Sequence, residues 1–157
     1  MADVQQKYGS STTVTVTLAG LADAAWRQAQ AVDNGTDLFA DALVGGKITT
    51  GAGAGAGGYV DVFAAASADG GTTYGGDCSG SDAVYAGESD NLVFLGRVAT
   101  PAAETAFEFG PFGVAAAFGG VLPRHWTLVF TNQSGAALDA APAVHDVHYL
   151  GVSHQLG

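Results

Sequence analysis

Three histidines stand close together near the end of the sequence, at positions 145, 148 and 154. Imidazole nitrogens are common metal ligands, so this segment raises the question of a metal site. On a strand, His145 and His148 point to opposite faces because side chains alternate. His148 and His154 share a face but lie ~20 Å apart, too far to complete one tetrahedral site. We therefore expect surface or interface histidines, and no metal or other cofactor.

Cys78 is the only cysteine and a candidate nucleophile, with a histidine as its base. The stretch DCSGSD places it beside acids, which raise the pKa of a thiol and lower its reactivity. Ser79 and Ser81 lack the G-x-S-x-G pattern of a nucleophile elbow. The acids between residues 69 and 90 lack the close spacing of a calcium loop. The sequence therefore predicts that the protein is not an enzyme.

Aromatic side chains offer a third kind of chemistry, which is stacking against sugar rings. Tyr74 and Tyr85 lie in a long acidic loop, where we expect both rings to be exposed. Trp126 shares a strand face with Leu128 and Phe130, so the core is its expected place. Carbohydrate binding by the loop is therefore an alternative function.

Composition limits the classes of protein to which this chain can belong. Its 157 residues suffice for one domain with a core. Fifteen acidic and five basic residues give a formal charge of −10, which opposes nucleic-acid binding. Only 13% of residues are charged, so small neutral residues must cover the surface or partners must bury it. The segment MADVQQKYGSS is unlike a secretory signal, and no apolar run is long enough to span a membrane.

Strand patterns dominate the sequence. They occur at residues 11–18, 37–50, 59–65, 91–98, 105–109, 125–132 and 147–152. About eight strands, separated by Gly, Asp and Ser turns, predict an all-β fold that is a single β-sandwich, and they favour a jelly roll. Because residues 91–98 are apolar on both faces, we expect a central strand there. The expected core comprises Val14, Val16, Val62, Phe94, Phe107, Trp126, Leu128 and Phe130.

Four shorter segments have specific interpretations. Residues 26–32 allow a short helix, but we favour an extended segment that ends in a turn at residues 33–35. Residues 114–118 are the best candidate for a single helical turn, and Gly45 with Gly46 marks a bulge. The run GAGAGAGG (51–58) precedes a strand and lacks the lysine of a phosphate-binding loop, so we interpret it as a flexible turn.

The N-terminal segment is polar and lacks the alternation of a core strand. We divide the chain into an N-terminal arm at residues 1–10 and one sandwich domain at residues 11–157. Val4 and Tyr8 are possible anchors by which the arm reaches a neighbouring subunit, and a frayed terminus is the alternative. The candidate interface residues are Val4, Tyr8, Tyr74 and Tyr85.

Several motifs from Ala31 onward, over about four-fifths of the chain, resemble those of one group of proteins. They are VDNGTDLFADAL (32–43), YVDVFA (59–64) with SADGGTTY (67–74), FGGVLPRHW (118–126) and NQSGAAL (132–138). Together they resemble small structural proteins that tailed bacteriophages encode in their virion modules. The resemblance implies a setting, the virion, and no catalytic residues.

In that setting we expect a capsid cement or decoration protein that is assembled in the host cytoplasm. Its partners would be the major capsid protein and copies of itself, in a homo-oligomer for which a trimer is one option. Sparse charge suits a surface that is partly buried against neighbours. The alternatives are a tail or adaptor component, and a carbohydrate-binding module for attachment to the host surface.

Overall fold

The computed structural model describes residues 3–156, which form ten strands in two antiparallel sheets. The strands are β1 (Val4–Thr13), β2 (Trp26–Gln28), β3 (Val32–Asp33), β4 (Asp41–Thr49), β5 (Tyr59–Ser67), β6 (Ala83–Val84), β7 (Val93–Ala99), β8 (Ala106–Gly113), β9 (His125–Gln133) and β10 (Asp146–Leu156). The one α-helix in this part of the chain is the turn α1 (Val114–Ala117), with 3-10 turns at Gly75–Asp77, Ser89–Asn91 and Pro142–Val144. The predicted all-β sandwich and the helical turn are confirmed, whereas jelly-roll connectivity stays a prediction. Three very short strands, β2, β3 and β6, raise the number above eight.

One sheet has four strands in the order β1-β10-β4-β8, and we call it the first sheet. The second sheet has the order β6-β2-β9-β5-β7, and β3 also pairs with β9. The edges are therefore β1 and β8 in the first sheet, and β6 and β7 in the second. None of the helices within residues 3–156 is long and apolar enough to cross a membrane.

Strand β7 lies at an edge, so the prediction of a central strand at residues 91–98 is wrong. A bulge in its pairing with β5 lies between the pairs Val62–Gly96 and Phe63–Phe94. Without that bulge Phe94 would face inwards, because positions 96 and 98 do. The bulge turns Phe94 to the outer face, where its ring is 53% exposed and lies against Phe63. Phe94 is therefore not a core residue.

The core lies between the two sheets and follows the alternation of the strands. Of the expected core residues, five are buried: Val14, Val62, Trp126, Leu128 and Phe130. Val16 and Phe107 are only partly buried and pack against the buried core. The first sheet contributes Val44, Ile48, Val147 and Tyr149, which the prediction did not include.

The predicted strand at residues 11–18 is divided by the end of β1 at Thr13. Val14 and Leu18 are buried, as the alternation predicts. Residues 14–18 nevertheless form no regular strand, because the chain crosses there from the first sheet to the second. Val14 N–H donates to the carbonyl of Val147 in the first sheet, and Thr17 N–H donates to Asp82 beside the second.

The glycine-rich run at residues 51–58 connects β4 to β5, so its interpretation as a turn is confirmed. Two of its glycines are required by close contacts: a Cβ atom on Gly51 would meet the carbonyl oxygen of Ala137, and one on Gly58 would meet backbone atoms. Gly53 and Gly57 have φ values of 97° and 82°, which side-chain-bearing residues rarely adopt. At Gly55 a Cβ atom would lie in open space. The repeat therefore reflects local backbone requirements at four of its five glycines.

Two further local predictions are confirmed. Strands β2 and β3 occupy residues 26–28 and 32–33, no helix forms between them, and a turn follows. The pairing of β4 with β8 shifts register between Val44 and Gly46, which is the predicted bulge. Gly46 is needed there because a Cβ atom would collide with the Asp146 carbonyl on β10.

Candidate interaction surfaces

The ends of the described chain form a projecting two-stranded ribbon. Strand β1 pairs with β10 from Val4–Leu156 to Tyr8–Val152, whereas β4 accompanies β10 only as far as Val152. Residues 4–8 and 152–156 are called the terminal ribbon below. Val4, Tyr8 and Leu156 are 67%, 56% and 74% exposed, and their positions in the register place them on one face.

The terminal ribbon contains the middle part of the predicted arm, residues 4–8 of residues 1–10. Residues 1 and 2 of the arm lie outside the described residues, and residues 4–10 are the first part of β1. Val4 and Tyr8 are thus exposed apolar side chains on an extended segment. Their role in an interface, and the reach of the arm to a neighbour, stay predictions.

The outer edge of β1 is the longest of the four sheet edges among residues 3–156. Strand β6 has only two residues, and β8 contains Pro111, which lacks an N–H to donate. The edge at β7 lies against β8, where Gly96 packs on the ring of Phe112. Strand β1 has ten residues, but a bulge between Tyr8 and Ser11 interrupts it. Its regular open edge is therefore the part that belongs to the terminal ribbon.

Tyr85 is buried, so the prediction that its ring is exposed is wrong. The ring is 5% exposed and lies 5.9 Å from the indole ring of Trp26, centroid to centroid. Its hydroxyl donates to the carbonyl of Gly76 at 2.6 Å. Burial, with smaller contributions from Cys78, Asp77 and Glu88, raises the pKa of Tyr85 to about 12. The ring therefore holds the loop onto the second sheet.

Tyr74 is partly buried and lines a shallow polar cavity of about 300 Å³. The other lining residues include Gln30, Asp33, Ser79, Gly80 and His125. Asp33 Oδ1 lies 3.8 Å from His125 Nδ1. Burial, and then the charges of Asp33 and Asp69, raise the pKa of Tyr74. The cavity therefore combines an aromatic ring, a carboxylate and an imidazole, which suits a small polar ligand.

Cys78 is 5% exposed and lies in the same small cluster as Ala65, Tyr85 and Val129. Burial, and then the charge of Asp77, raise the pKa of the thiol to about 11. The predicted direction is confirmed, although burial is a larger cause than the neighbouring acid. A thiol in this state is a poor nucleophile at neutral pH.

The histidines are dispersed. The ring of His145 lies 2.8 Å from the Asp139 carbonyl, His148 contacts Asp146 at 3.1 Å, and His154 belongs to the terminal ribbon. Within residues 3–156, no three side chains of His, Cys, Asp or Glu form a group that could hold a metal ion.

Two outer faces carry features that sequence reasoning missed. A groove of about 640 Å³ on the first sheet is lined by residues that include Leu43, Lys47, Glu108, His148 and Leu150. On the second sheet the rings of Trp26, Phe63 and Phe94 form a row with centroids 5.5 and 5.6 Å apart. The alternation of side chains along each strand indicates which residues share an outer face. The groove and the row of rings, however, each combine residues from several strands, and the sequence does not specify how those strands pair.

Comparisons of the chain with protein-family models, with curated proteins and with solved structures find no match in any of the three.

Proposed function

We propose that this chain is a structural protein of the bacteriophage virion, and specifically a capsid cement or decoration protein. The setting comes from the resemblance of its motifs to phage virion proteins. The observation that favours a cement role is the terminal ribbon, which extends past β4 and exposes Val4, Tyr8 and Leu156 on one face. Exposed apolar side chains on an open strand edge suit contact with another protein.

The negative charge of this chain favours a partner whose surface is basic. Three of the fifteen acidic residues pair with arginine, in Arg27–Asp82, Arg97–Asp61 and Arg124–Asp33. The other twelve leave a negative surface that attracts positive charge and repels phosphate backbones. The partners that we propose are accordingly a basic patch of the major capsid protein and copies of this chain, with assembly in the host cytoplasm and no nucleic-acid or membrane partner.

The test is the occupancy of this protein on purified particles. The double variant Val4→Ser with Tyr8→Ser removes the exposed apolar side chains and keeps the chain length. We expect reduced occupancy on heads, measured by mass spectrometry and electron microscopy. Val84→Ser is the matched control, because Val84 is 70% exposed on the edge strand of the other sheet.

Two outcomes would contradict the proposal. If the double variant loads like the wild type and like Val84→Ser, the terminal ribbon does not contact the capsid. If the intact protein is found only on purified tails, the cement role is wrong and the tail or adaptor role replaces it.

Carbohydrate binding is a second candidate, because of the cavity beside Tyr74. Sugar hydroxyls would find hydrogen-bonding partners in Asp33, Gln30 and His125, beside the aromatic ring. A glycan array with the wild type and Tyr74→Ala tests it. Binding that the substitution abolishes supports this function, and an array without any binding contradicts it.

A further inference from the structure

We infer that the terminal ribbon pairs with the same ribbon of a second copy, with β1 antiparallel to β1 about a twofold axis at Gln6. This inference rests on the self-association that is part of the proposed function, but not on the virion setting. A twofold pair gives a dimer or an even-numbered assembly in place of a trimer.

The first argument is that the ribbon lacks a third strand. Within the part of the chain that the structure describes, residues 4–7 pair only with residues 153–156, because β4 ends its pairing with β10 at Val152. Two-stranded ribbons are marginally stable in water, and three or more strands are needed for stability. A second ribbon at the open edge of β1 makes four strands, in the order β10, β1, β1 and β10.

The second argument is charge. The terminal ribbon, together with its flanking residues Asp3 and Gly9, contains one acid, Asp3, and one base, Lys7, as well as His154. The formal charge of this region is therefore zero with neutral histidine, in a chain of formal charge −10. Two copies repel each other over most of their surface but not here. The ribbon is thus a site where a second copy can approach.

The third argument is register. In an antiparallel pair about a twofold axis, one residue must face itself. With Gln6 on the axis, Val4 faces Tyr8 of the second copy and Gln5 faces Lys7 of the second copy. Both Val4–Tyr8 pairs then bury side chains that are 67% and 56% exposed in the single chain. The ladder then covers residues 4–8 of both copies, which is the part of β1 before the bulge between Tyr8 and Ser11.

The neighbouring registers are less favourable. An axis at Lys7 places two ammonium groups opposite each other, which is destabilising. An axis at Gln5 pairs Asp3 with Lys7, but exposed ion pairs contribute little, and Val4 then faces the polar Gln6. Gln6 is therefore the position that brings the exposed apolar side chains together.

Cysteine crosslinking of the purified full chain tests this register. Facing Cα atoms in an antiparallel pair lie about 4.5–5.5 Å apart, which is within the range of a disulfide. Under mild oxidation we expect Gln6→Cys to form a covalent dimer. Gln5→Cys is the register control, and Thr12→Cys tests the same strand beyond the bulge. The wild type measures any background from Cys78, which is 5% exposed.

A second measurement does not depend on disulfide chemistry. Sedimentation equilibrium should show a wild-type dimer whose Kd rises at least tenfold in the Val4→Ser, Tyr8→Ser double variant and stays unchanged in Val84→Ser. Faster crosslinking of Gln5→Cys than of Gln6→Cys would overturn the register. A monomeric wild type with equally slow crosslinking at all three positions would overturn the pairing itself.

These results are separable from those on particles. A dimer that does not load onto capsids contradicts the proposed function and leaves the pairing intact. A monomer that loads fully contradicts the pairing and leaves the cement role intact.

Discussion

The indole ring of Trp126 and the phenol ring of Tyr149 meet edge to face, with their centroids 5.4 Å apart. Trp126 belongs to β9 in the second sheet, and Tyr149 belongs to β10 in the first. Trp126 has no exposed surface, and Tyr149 is 6% exposed. The contact therefore joins the two layers of the sandwich in the centre of the core.

Replacing Trp126 should destabilise the protein strongly. We expect Trp126→Ala to lower the free energy of unfolding by about 3–5 kcal/mol, because it leaves a large cavity between the sheets. Phe94→Ala is the control and should cost less than about 1 kcal/mol, because the ring is already 53% exposed. Urea unfolding followed by circular dichroism measures both, with Trp126→Phe as a milder variant if Trp126→Ala does not fold. Equal losses would place Phe94 in the core after all.

The glycine-rich turn offers a matched pair of substitutions. Gly51→Ala should cost about 1–3 kcal/mol, because its new methyl group would lie 2.5 Å from the Ala137 carbonyl oxygen. Gly55→Ala should be neutral or stabilise by up to about 1 kcal/mol, because the site is open and alanine restricts the unfolded chain. Thermal unfolding of both variants would show opposite or clearly unequal shifts in Tm. Equal shifts would contradict the distinct roles of the two glycines.

Stability should fall in acid in a way that depends on Thr17. Burial alone would raise the pKa of Asp82, but hydrogen bonds from Arg27 and Thr17 outweigh burial and lower it below 3.8. A carboxyl group with a lower pKa in the folded state than in the unfolded state stabilises the fold at any pH above its unfolded-state pKa. This stabilisation is lost as the pH falls from the unfolded-state pKa through the folded-state pKa. Thr17→Val removes the hydrogen bond of 2.6 Å from the Thr17 hydroxyl to Asp82, so it should lower the free energy of unfolding at pH 7. The difference in this free energy between the variant and the wild type should narrow below pH 3.8.

Urea unfolding between pH 2.5 and pH 7 measures this difference. Thr17→Ser keeps the hydroxyl group and should follow the pH profile of the wild type. Curves for Thr17→Val and the wild type that stay parallel at every pH would show that the hydroxyl group does not act through Asp82.

Cys78 should resist alkylation while the protein is folded. Burial raises the pKa of its thiol to about 11, so almost no thiolate exists at pH 8, and the side chain is 5% exposed. Iodoacetamide at pH 8 should therefore label the urea-unfolded chain at least tenfold faster than the folded chain. Equal rates would mean that the loop at residues 68–92 opens readily.

The sequence predicts which side chains are candidates for an interface, but it does not predict which of them the fold leaves exposed. Val4 and Tyr8 stand out in the sequence because they are apolar side chains in a polar segment, and both are exposed. The long acidic loop around Tyr85 predicts an exposed ring, but the ring is buried. The loop folds back on the second sheet and buries the ring against Trp26, a contact between residues that are distant in sequence.

The sequence by itself determined the all-β class, most strands, the helical turn and the central core of β9, because alternation and turn residues act over a few neighbouring positions. Only the tertiary structure decided which strands are edges, because strand order depends on long-range pairing. It turned Phe94 outwards through a bulge in the pairing of β7 with β5. It also placed β1 beside β10 and beyond the end of β4, and so created the projecting ribbon on which both proposals rest.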